Sequence, residues 1–254
     1  MKRKKTTTDP QSFRSPFLRN VLQQDAPAHG GHPFDVLPLQ NLDLTFTTAV
    51  SFFVGENGSG KSTLLEAIAE KCGFSAEGGS HDHNPFRDAP GAENYASSLR
   101  LSWRPKVFDG FFMRAESFYN LATYLDEVTS LSRYGGRPLH AQSHGESFLA
   151  LFSNRFEHGI YILDEPEAAL SPKRQLAFLR ILRQLEDTRR AQFLIATHSP
   201  ILLSYPGATV FSLDEPHITT VDYRETEHFT LTRDFLNTPE RFHRYLFDDS
   251  EESE

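Results

Sequence analysis

A nine-residue stretch rich in glycine could hold a triphosphate. Residues 55–63 read GENGSGKST, which fits the pattern G-x-x-x-x-G-K-[ST]. In this pattern glycines let backbone N–H groups turn inward on phosphate oxygens, the lysine reaches the outer phosphates, and the serine hydroxyl can join a Mg²⁺ shell. The sequence therefore predicts that a nucleoside triphosphate and Mg²⁺ bind here. The predicted nucleotide-binding residues are Gly55, Glu56, Asn57, Gly58, Ser59, Gly60, Lys61, Ser62 and Thr63.

Two later clusters could complete this chemistry. An apolar run, GIYILDEP (159–166), delivers the adjacent carboxylates Asp164 and Glu165, and a second run, QFLIAT (192–197), leads directly into His198. One acid could hold the Mg²⁺ shell while its neighbour orients an attacking water. Taken singly, the acid pair is also typical of a solvated loop start, and His198 could be a capping histidine. Because sheets of this class place chemistry at strand ends, we expect the clusters to meet.

The surrounding elements have the order that such a site needs. The run VSFFV (50–54) predicts a buried strand, and TLLEAIAEK (63–71) has helical spacing, with Gly73 placed to end the helix. The helix N-terminus would then face the anion. Ser171 and Pro172 are typical of an N-cap and first helical residue before a further amphipathic helix. These alternating elements predict an α/β fold.

Taken in order, five motifs resemble those of ABC-type ATPases. GENGSGKST resembles the Walker A loop, QSHGES (142–147) the signature sequence and ILDEP the Walker B strand, while EAALS (167–171) resembles the D-loop and THSP the switch-histidine loop. The resemblance covers roughly residues 34–214. It implies a P-loop NTPase fold, with a mixed or parallel β-sheet core flanked by helices and a small helical lobe. It also implies that Asp164 is the metal acid, Glu165 the catalytic glutamate and His198 the γ-phosphate sensor.

The signature resemblance implies a dimer. Ser143, Gly145 and Glu146 would face the γ-phosphate of a nucleotide held by a second copy, so we expect a homodimer on ATP binding. The segment lacks the LSGGQ form and the arginine-rich helix of transporter subunits. SHGES and ILDEPEAAL are more similar to the soluble branch that includes RecF-like and chromosome-maintenance ATPases. They are most similar to the short stand-alone AAA family ATPases predicted in bacteria.

Several positions depart from the family pattern or leave it open. The expected Q-loop offers Glu116 instead of glutamine, and this residue could either join the metal shell or favour a helix start through the helix dipole. The D-loop ends in Ser171 where many relatives have Asp. Either Phe34 or Phe17 could stack on adenine or pack in the core. Fewer than 30 residues separate Glu116 from Ser143, which predicts a small helical lobe at about residues 117–156.

Length and composition indicate one folding unit. With 254 residues we expect a single ABC-type domain over residues 1–254, with disordered termini at about 1–12 and 248–254. No apolar run reaches the roughly 18 residues that span a bilayer, so we expect no membrane insertion and a cytoplasmic location. A net charge of −8 disfavours a generally basic nucleic-acid clamp, although the basic start MKRKK could contact phosphates.

The sequence favours Mg²⁺-dependent ATP hydrolysis that drives an ATP-sandwich dimer switch. We expect a role in DNA repair, genome maintenance or phage defence with an effector protein, and nucleic-acid binding stays open. One alternative is the energising ATPase subunit of a membrane transporter. Another is a nucleotide-gated interaction module with little turnover.

Overall fold

A six-stranded sheet forms the centre of the molecule. The computed structural model describes residues 14–24, 31–75, 78–79, 93–114 and 143–247. The strand order in the sheet is β5-β6-β7-β3-β8-β9, and every pair is parallel except the antiparallel β8–β9 pair. The strands are β3 (Val50–Val54), β5 (Gly110–Arg114), β6 (Gly159–Asp164), β7 (Ala191–Ala196), β8 (Thr209–Ser212) and β9 (Thr219–Val221).

The three central strands are apolar because helices or a second sheet cover both faces. β3, β6 and β7 are buried at every residue, the pattern expected of parallel strands in an α/β sheet. β7 pairs with β3 on one side and with β6 on the other, so the carboxyl ends of all three lie at one edge. The predicted α/β fold with a parallel-rich sheet is confirmed.

A smaller antiparallel sheet packs near the start of β7. Its strands follow the order β2-β1-β4, namely β1 (Leu18–Gln23), β2 (Asp43–Thr45) and β4 (Leu99–Trp103). The fully buried Gln192 of β7 links the two sheets. Its Oε1 accepts hydrogen bonds from the Phe17 and Leu18 amides at 2.8 Å, and its Nε2 donates to the Leu18 carbonyl at 3.0 Å. One glutamine thereby satisfies three backbone groups that would otherwise be buried without partners.

Helices cover both faces of the central sheet. Within the described residues they are α1 (Lys61–Cys72), α2 (Glu93–Ser98), α3 (His144–Arg155), α4 (Pro172–Asp187), α5 (Pro200–Leu203), α6 (Glu227–Asn237) and α7 (Pro239–Phe247). The helix predicted from residue 63 begins two residues earlier, at Lys61. It ends as predicted at Gly73, whose left-handed backbone (φ 86°) lets its N–H reach the last helical carbonyls. α4 begins at Pro172 with Ser171 at its N-cap position, as predicted.

Two apolar cores flank the central sheet. One packs α3 and α4 on the sheet and includes the fully buried rings of Phe148, Phe152 and Phe178, while the other contains α1 and the smaller sheet. The aromatic contacts hold α3 against α4. Residues 117–142 of the predicted helical lobe lie outside the described residues, as do residues 1–12 and 248–254. In the part of the chain that is described, no helix is both long and apolar enough to cross a membrane.

Candidate functional site

The loop between β3 and α1 has a backbone shape that only glycine adopts readily. Gly58 and Gly60 have φ values of 84° and 96°, in the left-handed region. A Cβ on Gly60 would lie 3.0 Å from the Leu39 side chain, so the helix start is packed closely against its neighbour. The loop lies at the amino end of α1, where the helix dipole and free N–H groups favour an anion. This cradle fits a bound triphosphate.

Lys61, the first residue of α1, is a buried cation held by carbonyl groups. Its ammonium donates to the Gly55 carbonyl at 2.6 Å and to the Glu56 carbonyl at 2.9 Å. Burial lowers the pKa of Lys61, against the opposing effect of carboxylates that include Glu165 and Asp164. No described carboxylate forms an ion pair with this ammonium within 4.0 Å. A phosphate oxygen would supply the countercharge that the carbonyls lack.

β6 places Asp164 beside the start of α1. Its Oδ1 accepts a hydrogen bond from the Ser62 hydroxyl at 3.2 Å, and its Oδ2 lies 3.8 Å from Nε of Arg114 at the end of β5. Burial raises the pKa of Asp164 to about 6, while the Ser62 hydrogen bond and Arg114 lower it. A hydroxyl and a carboxylate are the hard oxygen ligands that Mg²⁺ takes together with waters and phosphates. The pair Ser62 and Asp164 therefore fits Mg²⁺. Glu116, the third predicted metal residue, lies outside the described residues.

Glu165 and His198 meet where β6 and β7 end. Glu165 has a left-handed backbone (φ 50°, ψ 53°), which is costly for a residue with a side chain. Its N–H donates to the Ala196 carbonyl at 3.0 Å, which ties the two strand ends together. His198 follows β7, and its Nε2 lies 3.5 Å from Glu165 Oε1. The structure thus brings the predicted acid pair and the predicted histidine to one edge of the sheet.

Two acids support this site without having been assigned a role from the sequence. Glu167 is buried, and its Oε1 accepts a hydrogen bond from the His198 amide at 2.6 Å; burial raises its pKa. Asp214, just after β8, accepts from the Glu56 amide at 2.9 Å and from the Ser212 hydroxyl at 2.8 Å. Asp214 thereby fixes the phosphate loop from the neighbouring strand. The available sequence signal was its place at the end of the run ATVFSLD, since strand ends carry the site.

An open cavity of about 550 Å³ lies beside the phosphate loop, a volume in the range of small-molecule sites. Its walls come from the loop itself, from residues before β2 and from the segment after β8. Its lining residues include Val36, Pro38, Asn57, Leu213 and Pro216. Phe17 is fully buried in the core, so its ring has no face open to a base. Phe34 is partly buried and makes an edge contact with Tyr95, with ring centroids 5.5 Å apart.

The described part of the signature segment lies at the start of α3, whereas the phosphate loop lies at the start of α1. Ser143 is the N-cap of α3, and its N–H donates to Glu146 Oε2 at 3.0 Å in a capping box. Arg174 of α4 donates to the Ser143 hydroxyl at 2.9 Å and pairs with Glu146 Oε1 at 3.1 Å. Hydrogen bonds from Ser143 lower the pKa of Glu146. A Cβ on Gly145 would lie 2.7 Å from Arg174 Cδ and 2.9 Å from the Ala169 carbonyl, so only glycine lets α3 pack there.

Comparison with known proteins gives two family matches and several relatives. Residues 87–204 match the family described as "AAA domain, putative AbiEii toxin, Type IV TA system", and residues 32–88 match one described as "AAA domain". The tungstate uptake system ATP-binding protein TupC of Campylobacter jejuni is 24% identical over 241 residues, covering 82% of this chain and 70% of TupC. The bacitracin export ATP-binding protein BceA of Halalkalibacterium halodurans is 28% identical over 123 residues, covering 48% of each protein. The solved structure of cbiO1 from Clostridium perfringens, described as part of an ABC transporter complex, superposes with a TM-score of 0.49 at 17% identity, covering 89% of this chain and 98% of cbiO1.

The strand, glycine loop and helix around Lys61, with a carboxylate at the end of a neighbouring strand, define a P-loop nucleoside triphosphatase. The ordered motifs and the sequence matches narrow this class. The chain is an ATPase whose ordered motifs and sequence relatives are of the ABC type.

Proposed function

We propose that this ATPase works as a nucleotide-driven dimer switch, in which two copies enclose two ATP molecules. The observation that carries the proposal is the arrangement of the signature segment. Ser143 is exposed at the start of α3, yet its hydroxyl is oriented by Arg174 and its backbone by Glu146. An ordered polar helix start on the surface suits contact with a second copy.

Within one copy, we propose that each residue of the strand-end site has a distinct task. The phosphate loop and Lys61 bind the triphosphate, and His198 contacts the γ-phosphate. Glu165 orients the attacking water. Ser62 and Asp164 would hold Mg²⁺, which when bound neutralises charge on the phosphates. The Glu165 backbone is left-handed and its N–H donates to the Ala196 carbonyl, so the point from which its side chain leaves the backbone is defined.

For the biological role we propose a switch that acts on an effector protein in phage defence, DNA repair or genome maintenance. The description of the family matched by residues 87–204 names a toxin system, which supports a role in phage defence. The alternative of a transporter subunit is supported by TupC and BceA, which are named for uptake and export systems. Purification of native partners with Glu165→Gln would separate them: a membrane-spanning partner would favour the transporter, and a nuclease or toxin the effector switch.

The dimer is tested by the oligomeric state of the trapped enzyme. With ATP and Mg²⁺, we expect Glu165→Gln to run as a dimer in light-scattering chromatography. Adding Ser143→Arg should return it to a monomer without loss of ATP binding, because a bulky cation blocks the interface and leaves the phosphate loop intact. The matched control is Ser204→Arg, at an exposed serine after α5, which should leave the dimer unchanged. A double variant of Glu165 and Ser143 that still dimerises on ATP would contradict the proposed interface.

A phosphate-release assay on the wild type separates the switch from a nucleotide-gated module with little turnover. We expect steady release that depends on Mg²⁺ and is lost in Glu165→Gln. Release at the level of Glu165→Gln would favour the module.

A further inference from the structure

A second histidine contacts the histidine of the site. His228 is the second residue of α6, and its Nε2 lies 3.0 Å from Nδ1 of His198. The two rings meet edge to face, with centroids 4.6 Å apart and an interplanar angle of 80°. The helix that follows β9 therefore reaches the carboxyl edge of the central sheet. The sequence around His228 resembles no motif, so no role was predicted for this residue.

The distances on the two sides of His198 determine where its proton lies. Nε2 faces Glu165 Oε1 at 3.5 Å, and a lone pair on Nε2 would repel that carboxylate. A neutral His198 with its proton on Nε2 leaves Nδ1 as an acceptor. The group 3.0 Å from Nδ1 is the His228 ring, whose Nε2–H can donate to it.

We propose that His228 is a positioning residue for ATP hydrolysis: it donates a hydrogen bond from Nε2–H to Nδ1 of His198 and so keeps the His198 proton on Nε2. That proton then points toward Glu165 and the γ-phosphate position. The inference rests on the proposed function, because it presumes that His198 acts on the bound nucleotide.

Other contacts hold the main chain of His198 and leave its ring to His228. Glu167 accepts a hydrogen bond from the His198 amide at 2.6 Å, which fixes the backbone. Among the described residues, His228 alone is within hydrogen-bond distance of Nδ1. Nε2 is buried and has no hydrogen-bond partner in the described part of the chain, so an N–H at this position is not used by the protein itself.

The electrostatic surroundings make the choice of tautomer matter. Burial lowers the pKa of His198, with further lowering by the Lys61 and His228 charges, against a raising effect of Glu165. A neutral imidazole has one N–H, and the wrong tautomer would present a lone pair to the phosphate. His228 therefore decides whether His198 is a donor or a repelling acceptor at the site.

The test compares turnover with ATP affinity in two variants of His228. His228→Leu removes the donor, and we expect kcat to fall about tenfold to a hundredfold with KM little changed, because a misplaced donor affects the reacting geometry more than binding. His228→Gln restores an N–H donor and should recover most of the lost kcat. The control is His243→Leu on α7, an exposed histidine in the same C-terminal helices, which should behave as wild type.

A double-mutant cycle with His198→Ala separates this inference from the proposed function. If His228 acts through His198, adding His228→Leu to His198→Ala should cost nothing further. Wild-type turnover of His198→Ala would overturn the proposed role of His198. Loss of turnover in His198→Ala together with full turnover in His228→Leu would overturn only the inference.

Tautomer and fold are checked independently of turnover. Nitrogen chemical shifts of the His198 ring should show protonation at Nε2 in the wild type and in His228→Gln. Protonation at Nδ1 in the wild type would overturn the inference. So would a raised KM and lowered melting temperature with unchanged kcat in His228→Leu, because those are the signs of a purely structural residue.

Discussion

The phosphate-loop site and the signature segment are built in opposite ways. The first collects side chains from the ends of buried strands, and its central groups Lys61 and Asp164 are themselves buried. The second lies at the exposed start of α3, where Ser143 and Glu146 are arranged by Arg174. The comparison teaches that one site contains its reacting groups within a single chain. The other is an ordered, exposed surface, against which we propose that a second copy binds.

The two regions also differ in how well their polar groups are satisfied. At the phosphate loop, burial raises the pKa of Asp164 to about 6, and Glu165 has a left-handed backbone. Both features disfavour the folded protein without ligand and suit a site that gains its partners on binding. In the signature segment the capping box and Arg174 satisfy the helix start. We therefore expect ligands to stabilise the first region, and mutations of the second to act mainly on association.

The largest expected effect is on ATP affinity, in Lys61→Ala. Loss of the ammonium removes a charge-assisted contact to phosphate, and we expect affinity to fall about a hundredfold, equivalent to about 3 kcal/mol. Ser143→Arg should leave the affinity unchanged, which sharpens the contrast between the two regions. Titration calorimetry with ATP measures both variants. The control is Lys71→Ala in the last turn of the same helix, and equal binding by Lys61→Ala and wild type would remove the loop from nucleotide binding.

The second effect is on stability, in Asp164→Asn without nucleotide. A folded-state pKa raised from 3.8 to about 6 means that wild-type stability falls as pH rises through this interval and stays lower above it. At about 1.4 kcal/mol per pH unit, the ionised carboxylate costs at most about 3 kcal/mol. The asparagine should therefore raise the free energy of unfolding at pH 8 by about 1–3 kcal/mol, less what it loses in bonds to Ser62 and Arg114.

Chemical denaturation at pH 4.5 and pH 8 measures this difference, and we expect the variant to gain more at the higher pH, because less of the penalty is present at pH 4.5. The control is the exposed Asp187→Asn, which should change stability by less than about 0.5 kcal/mol. Asp164→Asn should also abolish the additional rise in melting temperature that Mg²⁺ gives in the presence of ATP. A variant of Asp164 that is less stable than wild type at pH 8 would show that the carboxylate is well satisfied without ligand.

The phosphate-loop half of the fold was predictable because local signals coincide with position in the sheet. A glycine loop after VSFFV fixes the start of α1, and the runs that end in Asp164 and His198 place both at one edge. The residue types and their place after each strand predict these positions, since the carboxyl ends of parallel strands lie at one edge of the sheet. A local signal of another kind, Ser171 before Pro172, predicted that α4 begins at Pro172.

The rest depends on contacts between residues far apart in the chain, which motif spacing does not encode. Asp214 binds the Glu56 amide across 158 positions, and Gln192 binds the Phe17 amide across 175. Gln192 is the first residue of the run QFLIAT, and nothing in the sequence indicates its partner. His228 and Arg174 likewise act on His198 and Ser143 through tertiary packing. The strand order and the smaller sheet follow from such long-range contacts.

The smallest expected effect tests whether Arg174 orders the signature segment before dimerisation. Arg174→Met keeps the length and apolar packing of the side chain against Gly145 but loses the bonds to Ser143 and Glu146. Because Arg174 is partly exposed, we expect monomer stability to change by less than about 1 kcal/mol. Dimerisation should weaken about tenfold, since Ser143 would have to be ordered at the moment of association.

The measurement is sedimentation of Glu165→Gln with ATP, with and without Arg174→Met, over a range of protein concentrations. Arg180→Met, an exposed arginine on the same helix α4, is the matched control and should leave the dimer constant unchanged. Intact ATP affinity together with weaker dimerisation would show that the two regions act independently, one in binding and one in association. An unchanged dimer constant in Arg174→Met would mean that the order seen at Ser143 does not contribute to the interface. The phosphate-loop site would then be the one region of the two whose order matters for function.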